Sequence, residues 1–101
     1  MKLLIVTCLN EFLGDISKIF KQAEIDVFST SNIIGHRNGN NQNMLADWFA
    51  SGDEQADSVM IFTFTSQEKA TLGAELIMNY NKSLGGSFPA RAFVLDVEKS
   101  I

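Results

Sequence analysis

The pattern that most limits the fold of this chain is a strand–helix–strand succession written twice, with residues 35–57 lying between the two copies. The first copy opens on a run of Leu, Ile, Val and Thr at residues 2–8 that is apolar on both alternating faces, as a central strand requires. Phe12, Leu13, Ile16, Ile19, Phe20 and Ala23 then recur at three- and four-residue spacing, while Lys18, Lys21 and Gln22 occupy the opposite face. This spacing predicts a helix, with Asn10 as its N-cap and Glu11 in the first turn. A second strand of unusual polarity is predicted over 25–34, and Gly35 ends it.

The second copy carries the strongest strand, 57–65, in which Val59, Ile61 and Thr63 alternate with Met60, Phe62 and Phe64. Thr65 and Glu68 match a capping box, and the following helix is predicted to run to about Leu84 with Ala70, Ala74, Ile77, Met78 and Asn81 near one stripe. Gly85 and Gly86 stop it, and after Pro89 a last strand covers 91–97.

The sum is βαββαβ in one domain, 1–101. Right-handed crossovers place both helices on one face of a four-stranded antiparallel sheet, an α+β architecture. Because the third strand is apolar on both alternating sets, the face without helices is also apolar. Such a patch marks an interface, and the sheet is expected to pack against sheets of other subunits.

Composition removes several functions. Eight basic against twelve acidic residues give a net charge of −4, which does not attract nucleic acid or an anionic membrane. No run approaches the roughly twenty apolar residues of a membrane span, and the apolar start is too short for a signal-peptide core of about seven to fifteen residues, so a cytoplasmic location is expected. The single cysteine, Cys8, has no partner for a disulfide or a metal pair and reads as a buried strand-end residue.

The segment 36–56 is long for a connection in a compact domain, where about four to six residues are usual. Its first part, with Asn38, Gly39, Asn40, Asn41, Gln42 and Asn43, has little to bury. Its second part sets Met44, Leu45, Trp48 and Phe49 at the spacing of an apolar helical face with Asn43 as N-cap. That turn either folds back on the body or offers Trp48 and Phe49 as anchors to a target.

Three stretches resemble the P-II nitrogen-regulatory proteins and their wider P-II-like and CutA-related superfamily. They are the first strand at Lys2, Leu3, Leu4 and Ile5, the second strand from Phe28 to the glycine at 35 leading into a long loop, and the ending Phe93, Val94, Leu95, Asp96, Val97 and Glu98. The resemblance implies a ferredoxin-like trimer with an adenine nucleotide (ATP, ADP or AMP) in each intersubunit cleft. It also implies a long T-loop, here 36–56, that regulates a target protein such as a transporter, metal pump or enzyme. Under it, Ser29 stands where the family's threonine meets adenine, Gly35 leads into the loop, and Arg37 is a phosphate or carboxylate partner.

The chain also departs from that pattern. The loop tyrosine that the family modifies is absent, since the corresponding stretch is Ala46, Asp47, Trp48, Phe49, Ala50 and Ser51, and Tyr80 lies on the second helix. The family's glycine-rich nucleotide loop is replaced by Ser83, Leu84, Gly85, Gly86, Ser87, Phe88, Pro89, Ala90 and Arg91. Gly85, Gly86 and Arg91 keep the means of contacting an anion through backbone N–H groups and a cation, although a helix C-cap followed by a turn explains both glycines equally well. The sequence reaches Ile101 without the arginine pair that the family brings to the phosphates, and no lysine opens the loop.

An alternative reading is a divalent-metal sensor of the CutA or metal-efflux kind. It rests on His36, the only histidine, brought together in three copies with Asp47 or Asp53 by a trimer. An enzyme is not expected: the turn after the first strand, Thr7, Cys8, Leu9, Asn10 and Glu11, lacks the arginine an acylphosphatase needs, and no nucleophile–base set stands out. Phe62 and Phe64 as an RNA-stacking platform would lack flanking basic residues.

Overall fold

A computed structural model of the chain describes residues 1–36, 57–86 and 88–101. In chain order the elements are β1 (Lys2–Leu9), a 3-10 turn (Asn10–Phe12), α1 (Leu13–Gln22), β2 (Ser29–Ile33), β3 (Ser58–Thr65), α2 (Gln67–Leu84) and β4 (Arg91–Asp96). The strands form one antiparallel sheet in the order β2-β3-β1-β4, with both helices on one face, as the repeated pattern predicts.

Period-two burial assigns the two faces. Leu4, Val6 and Cys8 of β1 and Val59 and Ile61 of β3 are buried with Ile16, Ile19 and Phe20 of α1 and Ala70 and Ile77 of α2. Gly73 lets α2 lie close to β1, because a methyl group there would stand 3.2 Å from Cδ2 of Leu4. Met78, expected on the buried stripe, is instead exposed. Phe28 packs edge-on against Phe20 at 5.2 Å between ring centres, sealing the end of the core beside α1. The set that points away from the helices is Met60, Phe62 and Phe64, in register with Thr7, Ile5 and Leu3 of β1, and the row continues to Phe93 and Leu95 of β4.

Three local expectations are corrected. Asn10 does not cap α1. Its N–H donates to the carbonyl of Asp57 at 3.0 Å and it is already inside the 3-10 turn, so the extended residue before the turn is Leu9, and α1 begins with no side-chain cap. Thr65 is the last residue of β3, paired with Lys2, and therefore cannot cap α2 either. Ser66 does so, its Oγ accepting from the N–H of Lys69 at 3.2 Å, which leaves Glu68 out of reciprocal capping.

The third correction is that β2 starts at Ser29, not at residue 25. Ile25 belongs to the end of α1: its N–H donates to the Phe20 carbonyl at 2.8 Å, that of Glu24 to Lys21 at 3.1 Å, and Glu24 sits at φ +61°. This is a Schellman-type ending with a glutamate where glycine is usual, and the burial of Ile25 against the core helps offset the left-handed backbone.

Candidate ligand site at the loop end of the sheet

Strand directions decide which predicted site residues share a neighbourhood. Ile33 pairs with Ser58, Leu9 with Ser58, and Thr7 with Arg91, so the exit of β2, the start of β3, the end of β1 and the start of β4 lie at the same end of the sheet. The connection 34–57 leaves from this end, and the turn from α2 into β4 arrives at it. Gly35 is buried there and His36 is exposed.

Across the sheet the predicted residues are apart. Ser29 and Gly35 belong to the β2 edge, whereas Gly85, Gly86 and Arg91 belong to the β4 edge. Three strand spacings, about 14 Å, separate β2 from β4. A single chain therefore does not bring the two groups together. Arg37, Trp48 and Phe49, with Asp47 and Asp53, lie outside the described residues, as does the rest of the expected loop beyond His36.

The β4 side is the more fully built. Gly85 takes φ +61° as the left-handed C-cap of α2, its N–H donating to the Asn81 carbonyl at 3.2 Å, so the helix-stop reading of this glycine holds. The Asn81 side chain then grips the far end of the same turn: Nδ2 donates to the Ala90 carbonyl at 2.8 Å, and the Ala90 N–H donates to Oδ1 at 2.9 Å. Arg91 follows directly, half-buried, and its Nε is buried without a hydrogen-bond partner among the described residues. Asn81, Ala90 and Arg91 line a groove of about 510 Å³ with Ala74, Ile77, Met78, Ala92 and Phe93, a volume within the range of small-molecule sites.

Sequence reasoning placed Asn81 on the core stripe and missed this role. The available signal was a short amide side chain near a helix C-terminus, four residues ahead of a capping glycine, where such groups bond local backbone. Ser58 was missed as well. It pairs with Leu9 and Ile33, is fully buried, and its Oγ has no partner among the described residues.

Cys8, Tyr80 and the Lys2–Asp96 pair have structural parts to play. Cys8 faces the helices and burial pushes its thiol up to about 11, away from any nucleophilic role. Tyr80 donates to Oδ2 of Asp15 at 2.8 Å and stacks edge-on with Phe12 at 6.3 Å, tying α2 to α1; burial, then the Asp15 hydrogen bond and charge, raise its phenol to about 12. Lys2 and Asp96 pair across β1 and β4, and the hydrogen bond and charge of Lys2 lower the exposed Asp96 carboxyl. Among the described residues no three His, Cys, Asp or Glu side chains come together as a metal site, and no helix is long and apolar enough to cross a membrane.

No protein-family model matches the chain, and no curated protein matches it by sequence. Solved structures do match it in fold. A PII-like signalling protein from Thermus thermophilus superposes with a TM-score of 0.67 at 14% identity, covering 95% of this chain and 85% of that one. The CPII protein of Thiomonas intermedia, solved with ADP, AMP and acetate, superposes with a TM-score of 0.66 at 15% identity, covering 99% and 88%. The chain thus has the ferredoxin-like fold of PII-like signalling proteins, as the resemblance in its strands implies.

Proposed function

We propose that the chain, acting as one domain over 1–101, is a divergent P-II-like signalling protein and not an enzyme. It assembles as a trimer, takes an adenine nucleotide in a cleft between subunits, and signals binding to a target protein through loop 36–56. The observation that carries this reading is the division of the predicted ligand residues between opposite edges of the sheet, with Gly35, Gly85, Gly86 and Arg91 at the loop end and Ser29 further along β2, opposite Phe62. A site that uses both groups needs two chains side by side. The apolar face of Leu3, Ile5, Phe62, Phe64, Phe93 and Leu95 supplies a reason for chains to associate. The CPII protein, alike in fold, holds ADP and AMP.

In this reading Ser29 and Gly35 of one subunit meet the nucleoside, and Gly85, Gly86 and Arg91 of its neighbour, with Arg37, meet the phosphates. Trp48 and Phe49 anchor the target. The ligand shifts the loop only to the extent that it binds one loop state better than the other. Calorimetric titration with ADP and AMP tests the ligand class. Arg91→Ala and Arg37→Ala should each remove a charge-assisted contact of about 1.5–3 kcal/mol, a loss of roughly ten- to a hundredfold in affinity. Absence of binding by the unmodified protein at millimolar nucleotide would overturn the reading.

A further inference from the structure

Arg91 can serve an anion only if its guanidinium is held in the right direction, and β4 is an edge strand whose first residue has one strand neighbour. What fixes it is on α2. The N–H of Ala90 belongs to the peptide plane before that residue and its carbonyl to the plane after it, so the two hydrogen bonds from the Asn81 side chain, at 2.9 and 2.8 Å, orient both planes at once. Fixing both sets the backbone angles of Ala90, and with them the direction in which Arg91 leaves the turn. The Asn81 carbonyl holds the other end of the turn through Gly85. One residue therefore clamps the turn from both ends.

Two further observations point from this clamp to ligand binding. Ala90 is 3% exposed, so its N–H and carbonyl have little access to water as an alternative partner. Asn81 and Arg91 also line the same groove, and Arg91 Nε is buried with no hydrogen-bond partner among the described residues. We infer that Asn81 is a positioning residue for ligand binding: it does not touch the phosphate-bearing ligand itself but presents Arg91 to it. This inference rests on the nucleotide reading above and assigns to α2 a share in the site's affinity.

A double-mutant cycle tests it, with ADP as the probe and calorimetry as the readout. Asn81→Ala should weaken ADP at least tenfold in the unmodified background and less than twofold in an Arg91→Ala background, because a positioning residue has nothing to contribute once the group it positions is gone. Hydrogen exchange at the Ala90 amide should speed up in the same variant. Should Asn81→Ala fold poorly, Asn81→Gln keeps the amide but displaces it by one methylene, and the same cycle is run with it. Unchanged ADP affinity in the variant, or an equal loss in both backgrounds, overturns the inference while leaving the nucleotide reading intact. No ADP binding by the unmodified protein overturns that reading, and the inference with it.

Discussion

Replacement of Phe64 by Asp should convert the assembled protein into folded monomers. Phe64 is on β3, in register with Leu3, on the face away from the helices, and it is 58% exposed in the isolated chain. A phenylalanine offers about 200 Å² in all, so association that covers the exposed part removes on the order of 115 Å² from water. At about 25 cal/mol per Å² this is roughly 3 kcal/mol per subunit, before the cost of desolvating a carboxylate in the same place is added. The core should survive, because the side chains of β3 that pack on the helices are Val59 and Ile61, not Phe64. Sedimentation velocity at micromolar concentration is expected to show a trimer for the unmodified protein and a monomer for the variant, with unchanged far-ultraviolet circular dichroism. A monomeric unmodified protein, a variant that stays trimeric, or a variant that unfolds would each refute the assignment of this face.

Cys8 should resist alkylation in the native protein at pH 8 and react fully in denaturant, since burial holds its thiol near 11; thiol titration with and without urea checks this. Tyr80→Phe should cost about 1 kcal/mol by removing the hydrogen bond to Asp15, measured by urea unfolding at pH 7. Because the folded phenol is raised to about 12, its contribution is fully present below the unfolded value of roughly 10 and is lost as pH rises towards 12. The variant should lack that alkaline decline, and an identical alkaline profile in both proteins would count against the assigned partner.

The fold was legible because its signals are local and repeated. Apolar alternation in Val59, Met60, Ile61 and Phe62 marked a strand whatever surrounded it, and the three- and four-residue spacing of Ile16, Ile19 and Phe20 marked a helix. Gly85 identified the end of α2 because only a residue without a side chain takes φ +61° at no cost. Apolar residues on both faces of β3 also implied a second buried surface, although composition alone could not say that Phe62 and Phe64 were the set pointing away.

Element boundaries depended on partners distant in sequence. Asn10 has the chemistry of an N-cap, yet its N–H is committed to Asp57, 47 positions along the chain, which draws it into the 3-10 turn. Thr65 and Ser66 are equally good caps by type, and register with Lys2 assigned the first to the strand and left the second for the helix. Residues 25–28 looked like strand because Ile25 is apolar and β-branched, but its N–H closes α1 and its side chain joins the core.

For the site, residue types were readable and neighbourhoods were not. Glycines and an arginine near 85–91 offered an anion contact by their chemistry, beside a helix stop that explains the glycines equally well. That Ser29 and Arg91 stand on opposite edges of the sheet follows from the strand order, which is a property of the packed chain. The Asn81 clamp belongs to the same class. An amide near a helix end can bond to many backbone groups, and only the packing of α2 against the start of β4 selects Ala90 among them.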